Sequence, residues 1–137
     1  LRIGMTFASE EIIAVMNKIK PPYNINQASQ ELAMQALDEV EQVNSMIRDI
    51  VQQREELRAT LEALPVVQKI YPSDANFLLV KVTHAKEIYD YLLAQGIVVR
   101  DRSNVILCEG CLRITIGTPQ ENQTLAESLK SYAAIVH

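Results

Sequence analysis

The apolar and polar positions at the start of the chain predict one strand followed by two helices. Residues 1–7 alternate between apolar and polar or small side chains, which is typical of a strand. Ser9 is a suitable N-cap for a helix over residues 10–20, which two consecutive prolines end. Asn26 can cap a second helix that runs to about residue 37. Since these apolar faces have no evident partner, we expect residues 1–38 to be the end of a larger domain whose main part lies upstream.

A long connecting helix is predicted for residues 39–64. Its apolar residues recur at steps of three and four, interrupted by Arg54. This stripe is typical either of a helix that packs on its own sheet or of a coiled coil between chains. The first arrangement is the commoner, and Arg54 weakens the case for the second. The stripe consists of Val40, Val43, Ile47, Ile50, Leu57, Leu61 and Leu64.

After Pro65 the apolar period changes to two, which predicts a small α+β domain over residues 65–137. Thr83 is the expected N-cap and Gly96 the expected terminator of the first helix in this domain. Thr118 and Glu121 form a capping-box pattern at the start of the last helix. The predicted order is strand 66–70, strand 77–82, helix 84–95, strand 97–102, loop 103–110, strand 111–117 and a helix to about 136.

Charge and hydropathy narrow the classes of function. The formal net charge of −4 and a pI near 5.2 argue against a nucleic-acid surface, which requires a basic face. No apolar run has the length of a membrane span, and no signal-peptide pattern is present, so we expect a cytoplasmic protein without a membrane partner.

Both cysteines lie in a C-x-x-C pattern formed by Cys108 and Cys111. One such pair cannot complete a tetrahedral zinc site alone, and neither histidine lies at finger spacing. The pair also does not open a helix after a strand, as a thioredoxin-like motif does. We therefore expect no metal site, and two reduced thiols in a turn and a strand.

Three arginines lie where the strand pattern would place each of them on a defined face. Arg113 lies in a strand whose apolar residues face one side, so its side chain is expected on the other. Arg100 lies in the preceding strand, and Arg2 shares a strand face with a glycine. A guanidinium fork binds two carboxylate or phosphate oxygens at once. Each arginine could instead be an ordinary surface residue, ion-paired for example with Glu109 or Asp101, and Arg102 is assigned no role.

At these arginines the chain resembles the fold-type I aminotransferases, which depend on pyridoxal 5'-phosphate. Residues 1–4 (LRIG) are similar to the segment that follows the cofactor-binding lysine, and residues 75–77 (ANF) to the strand that enters the small domain. Residues 96–101 (GIVVRD) and 110–118 (GCLRITIGT) resemble paired segments of the histidinol-phosphate branch. The resemblance runs along the whole chain.

This resemblance implies a fold class, a cofactor and roles for the three arginines. The fold class is α/β: the C-terminal portion of the type I transferase fold, with an α+β small domain whose antiparallel sheet carries helices on one face. Arg2 matches the arginine that binds the phosphate of pyridoxal 5'-phosphate. Arg113 matches the arginine that binds the substrate's carboxylate or phosphate, and Arg100 matches its companion. The implied reaction exchanges an amino group between glutamate and imidazole-acetol phosphate, which gives histidinol phosphate, in histidine biosynthesis.

The chain departs from the family because it lacks the lysine that attaches the cofactor. We therefore expect no catalytic residue in it and no aminotransferase activity from it alone. Two related functions stay open as alternatives, an aromatic aminotransferase and a threonine-phosphate decarboxylase. A non-enzymatic α+β module that dimerises through helix 40–64 is a further alternative. The resemblance also implies a homodimer whose active sites are completed across the interface.

Overall fold

The computed structural model describes residues 3–136, which form two compact units divided within a long helix, at residues 45 and 46. The first unit contains α1 (Glu10–Ile19), α2 (Gln27–Asp38) and the beginning of α3 (Val40–Glu62). The second contains the rest of α3 and all of the strands. In chain order these later elements are β1 (Val67–Ile70), β2 (Phe77–Val82), α4 (Ala85–Ala94), β3 (Arg100–Asp101), β4 (Cys111–Thr115) and α5 (Pro119–Val136).

The two helices of the first unit start and end near the predicted residues. Ser9 occupies the N-cap of α1, although its side chain makes no capping hydrogen bond. Asn26 caps α2, where the backbone N–H of Ser29 donates to Asn26 Oδ1 at 2.8 Å. Neither helix buries a residue, and Phe7 is 89% exposed. The apolar faces of this unit are therefore unpartnered in the described part of the chain.

The strand predicted over residues 1–7 is wrong for the residues that the structure describes. Residues 3–7 have no regular secondary structure. An alternating pattern creates two faces, but a strand also needs a neighbouring strand for its backbone hydrogen bonds. The described residues of the first unit contain no second strand. Residues 1 and 2 lie outside the described part, so the prediction for Arg2 is not addressed there.

The second unit is an antiparallel sheet with strand order β1-β2-β4-β3, covered by helices on one face. Leu78, Val80, Leu112 and Ile114 point to that face and are buried. The predicted alternation of β2 and β4 is thereby confirmed. Buried residues of three helices complete the core, namely Leu57 and Leu61 of α3, Ile88 and Leu92 of α4, and Leu125 and Leu129 of α5.

The C-terminal half of α3 packs on the core of its own unit, as the commoner interpretation of its stripe predicts. Ile50, at the N-terminal end of this half, packs against the core. Arg54 interrupts the stripe because its Nη1 donates to the carbonyl of Ala75 at 3.1 Å, just before β2. Val40, Val43 and Ile47, at the other end of α3, are exposed.

The end of β4 is fixed by a buried polar contact and a capping box. Asn122 is buried, and its side chain accepts from Gly117 N–H and donates to Gly117 O and to Gln53 Oε1. Glu121 Oε2 accepts from Thr118 N–H and Oγ1, both at 2.8 Å, which confirms the predicted box. A Cβ on Gly117 would lie 2.8 Å from Glu121 Oε2, so a larger residue there would displace the Glu121 carboxylate from its position in the box.

Two predicted boundaries around α4 are wrong. His84 occupies the N-cap without a side-chain capping hydrogen bond, and Thr83, just after β2, donates its N–H to the carbonyl of Val66. The strand predicted over residues 97–102 is reduced to residues 100 and 101. Gly96 adopts φ +78°, as expected of a helix terminator, and Ile97 N–H then donates to Leu92 O. Residue 97 thus closes the helix instead of extending the strand.

Candidate functional site: an arginine pair on the open face of the sheet

The structure brings Arg100 and Arg113 together as direct cross-strand partners. They face each other across β3 and β4, with Asp101 opposite Leu112 in the next position. Residues directly opposite in an antiparallel pair have Cβ atoms about 4.5–5.5 Å apart and point to the same face. Because Leu112 points into the core, both arginines point to the face that no helix of this unit covers. The two arginine side chains therefore start from adjacent positions on the same face of the sheet.

Arg113 is half-buried and incompletely bonded. Its Nε is buried without a hydrogen-bond partner among the described residues. A buried donor without a partner costs about 1–3 kcal/mol, and more when the group is charged. Neither Glu109 nor Asp101 forms the ion pair considered from sequence, since none of the ion pairs within residues 3–136 includes Arg113. Phosphate or carboxylate oxygens would bond the terminal nitrogens of this guanidinium, whereas its buried Nε is closed to a ligand from solvent.

Phe77 supports the guanidinium of Arg113 from the neighbouring strand. Arg113 Cζ lies 5.3 Å from the centroid of the Phe77 ring. Phe77 is two residues from Leu79, the direct partner of Arg113 on β2, so the ring is the diagonal neighbour. Sequence reasoning did not assign this role. The signal was nevertheless present, because the period of two places a large aromatic ring on the outer face of β2.

The charged strand residues on the open face of the sheet are all basic. Lys69 and Lys81 are also direct cross-strand partners, on β1 and β2. Asp101 is the only acidic residue in the four strands, and it faces the other side. Like charges directly opposite one another destabilise a sheet, so these pairs oppose folding when nothing neutralises them. In a chain with a net charge of −4, a face of this kind indicates a surface built for an anion.

Asp101 has a structural role beside the arginine pair. Its carboxylate accepts from Ser103 Oγ at 2.6 Å and from Ser103 N–H at 2.8 Å. These hydrogen bonds, the side-chain one first, lower the pKa of Asp101 below its usual value. The turn after β3 is thereby fixed without neutralising either arginine. Arg102 donates its N–H to Cys111 O, and its side chain again receives no role.

A cavity of about 540 Å³ lies next to the arginine pair but is not lined by it. Its wall includes Gly96, Val99, Thr115 and Gly117, where the chain leaves α4 and where β4 ends. Glu121 also lines it, and hydrogen bonds from Thr118 lower the pKa of that carboxyl. A carboxylate in the wall makes this cavity unfavourable for an anion. The arginine pair is therefore the better candidate for anion binding.

The described residues alone do not form a pyridoxal-phosphate site. A Cβ on Gly4 would have no atom within 4 Å, so the backbone there lies in open space instead of enclosing a phosphate. Lys86 donates to Asp90 on the surface of α4, and Lys69 lies over the Tyr71 ring. Neither lysine is in an enclosed site. Residues 3–136 contain no cluster of His, Cys, Asp and Glu that could hold a metal ion, and none of their helices has the length and apolar character to cross a membrane.

Comparison with known proteins gives the same family along the chain. The model of the family described as aminotransferase class I and II matches residues 1–129. A histidinol-phosphate aminotransferase of Cytophaga hutchinsonii is 52% identical over 96% of this chain, and one of Flavobacterium psychrophilum is 50% identical over 96%. The chain spans 38% of the length of each of these curated relatives.

A solved structure supports the fold. The crystal structure of the histidinol-phosphate aminotransferase from Clostridium acetobutylicum superposes with a TM-score of 0.82 at 23% identity. The superposition covers 92% of this chain and 39% of that one. The expected portion of a type I transferase fold, with helices on one face of an antiparallel sheet, is confirmed.

Proposed function

The chain belongs to the aminotransferase class I and II family, and from this premise we propose that it supplies the substrate's anion site in a histidinol-phosphate aminotransferase. The whole enzyme would transfer an amino group from glutamate to imidazole-acetol phosphate, in the cytoplasm and as a homodimer. Pyridoxal 5'-phosphate would provide the electron sink for this exchange. Residues 1–38 would end its large domain, and residues 65–137 would form its small domain. Residues 39–64 would be the helix that connects the two domains.

The cross-strand position of Arg100 and Arg113 carries the proposal. A phosphate has more charge and more oxygens than one guanidinium can satisfy, whereas two adjacent forks can bond several oxygens together. The same pair can accept the side-chain carboxylate of glutamate. Substrates with different anions can then use one site in alternating half-reactions. Arg2 would bind the cofactor's phosphate, a role that the family resemblance supports.

The side chains around the pair would orient the substrate without reacting with it. The Phe77 ring lies against the guanidinium of Arg113, and the terminal nitrogens of that group would bind the anion. Arg100 is exposed and can approach the anion from the solvent side. Binding at this end would fix the distance from the anion to the reacting amino group, which favours reaction through orientation.

A comparison of two ligands that differ only in the phosphate tests the proposal. We expect the 137-residue chain to bind histidinol phosphate about tenfold or more tightly than histidinol in calorimetric titrations, since a hydrogen bond to a charged group contributes about 1.5–3 kcal/mol. Arg113→Ala should remove this preference. Arg58→Ala is the matched control, because Arg58 lies on α3 and pairs with Glu62. Equal affinities for the two ligands would contradict the proposal.

A further inference from the structure

Cys108 and Cys111 occupy the first and last positions of a tight turn that leads into β4. Cys111 N–H donates to Cys108 O at 3.0 Å, and Gly110 has φ +70° at the third position. The first and fourth Cα atoms of such a turn lie within about 7 Å of each other. A disulfide usually spans about 4.4–6.8 Å between Cα atoms. The separation of the two Cα atoms is therefore compatible with a bridge between these two residues.

The sulphur of Cys111 is directed back over this turn. Cys111 Sγ lies 3.8 Å from the carbonyl oxygen of Glu109, the residue that follows Cys108. Both cysteines carry free thiols. The hydrogen bonds from Arg102 N–H to Cys111 O and from Val82 N–H to Gly110 O hold the C-terminal side of the turn in the sheet. A change at the sulphurs can therefore leave the strand pairing in place.

The two thiols differ in their access to reagents. Cys111 is fully buried, whereas Cys108 is half-buried in a loop whose tip exposes Ile106 and Leu107. Burial raises the pKa of the Cys111 thiol, and the neighbouring Cys108 raises it further. Since the thiolate is the nucleophile, a small external disulfide should meet Cys108 first. Stepwise thiol–disulfide exchange needs one accessible thiol that reacts first and a second, buried thiol that resolves the mixed disulfide.

We propose that Cys108 and Cys111 form a reversible thiol–disulfide site, oxidised by low-molecular-weight disulfides such as oxidised glutathione. The Cys108 thiolate attacks one sulphur of oxidised glutathione, which forms a mixed disulfide and releases one glutathione thiolate. Cys111 gives up its proton to the released glutathione thiolate and attacks the Cys108 sulphur, which forms the protein disulfide and releases the second glutathione thiolate. The protein loses two electrons and two protons, and oxidised glutathione is reduced to two molecules of glutathione. Excess reduced glutathione reverses both steps.

This site goes beyond the proposed function and does not depend on it. It lies in the connection between the two strands that carry Arg100 and Arg113, and Cys111 is two residues before Arg113. Disulfides in proteins kept in a reducing compartment are usually transient and respond to redox conditions. A bridge that closes a single turn adds little stability to the folded chain, which favours a reversible disulfide.

Intact-mass and peptide-mapping mass spectrometry of the folded 137-residue chain, incubated with oxidised glutathione, tests the proposal. We expect the wild type to lose two hydrogen atoms, to keep no adduct and to give one peptide linked between Cys108 and Cys111. Excess reduced glutathione should restore both thiols. A glutathione adduct that persists on the wild type, a disulfide between chains, or an unreactive protein would each overturn the proposal.

Two single variants test the order of the steps. Cys111→Ser should accumulate one glutathione on Cys108, because the resolving thiol is gone. Cys108→Ser should form its adduct about tenfold more slowly, since the buried thiol is less often ionised and less accessible. Circular dichroism of both variants checks that the fold is retained. Equal adduct rates in the two folded variants would contradict the assignment of Cys108 as the thiol that reacts first.

Discussion

Arg100 and Arg113 are direct partners across β3 and β4, so two positive side chains stand next to each other on the open face of the sheet. No carboxylate among the described residues pairs with Arg113, and its Nε lacks a hydrogen-bond partner. This arrangement is unfavourable in the empty protein and favourable once an anion bridges the pair. We expect such an energetic cost, from adjacent like charges, in the unliganded state of a site that binds an anion.

Phe77 should set the orientation of Arg113. Replacing Phe77 with Leu removes the ring beside the guanidinium, and we expect the affinity for histidinol phosphate to fall about two- to fivefold, as a cation–π contact contributes about 0.5–1 kcal/mol. Phe77→Tyr keeps the ring and should bind like the wild type. Calorimetric titration measures both variants, and equal losses in them would show that the ring does not orient Arg113.

The chain by itself should have no aminotransferase activity, because it lacks a lysine in the family's context. The measurement is the turnover of glutamate and imidazole-acetol phosphate by the purified 137-residue chain with added pyridoxal 5'-phosphate. We expect no product above the rate seen without protein. A protein-dependent rate that Arg113→Ala lowers would contradict this expectation.

How far the sequence predicted the fold depends on whether a feature is local. The alternation around Arg113 correctly predicted which face of the sheet its side chain occupies. The predicted N-cap Asn26, the helix terminator Gly96 and the Thr118–Glu121 capping box were also confirmed. Each of these depends on residues close in sequence. The strand predicted at residues 1–7 failed because an alternating pattern does not reveal whether a neighbouring strand exists.

In the candidate site, too, the local features were predicted from the sequence and the contacts between distant residues were not. The types and faces of Arg100 and Arg113 followed from strand patterns and family resemblance. Their direct register did not, since it depends on where the loop over residues 102–110 brings β4 back against β3. The contacts of Arg54 and Phe77 were also not predicted. Their contacts, with Ala75 O and with the Arg113 guanidinium, join residues of different elements.

Leu61 should contribute strongly to the stability of the second unit. It is fully buried in the core, so Leu61→Ala should lower the free energy of unfolding by about 2–5 kcal/mol through lost burial and a remaining cavity. Val51→Ala lies on an exposed position of the same helix and should change it by no more than about 0.5 kcal/mol. Urea unfolding measures both, and similar losses would show that α3 does not pack as described.

Asp101 should make stability depend on acidic pH. Its hydrogen bonds from Ser103 lower its pKa in the folded chain, so it stabilises the fold above its unfolded pKa of about 3.9. This contribution is lost as pH falls from that value through the lower folded pKa, where the carboxylate becomes protonated. We expect wild type to exceed Asp101→Asn in free energy of unfolding at neutral pH, and the difference to shrink near pH 3. A difference independent of pH would contradict the assignment.

The central claim is that Arg100 and Arg113 form one anion site, and phosphate-dependent thermal unfolding tests it most directly. A ligand that binds only the folded chain raises its stability with concentration. At constant ionic strength, we expect phosphate to raise the unfolding temperature of the wild type and of the control Arg58→Gln. Phosphate should have little effect on Arg100→Gln, Arg113→Gln or the double variant. The same phosphate-dependent rise in the double variant as in the wild type would contradict the account.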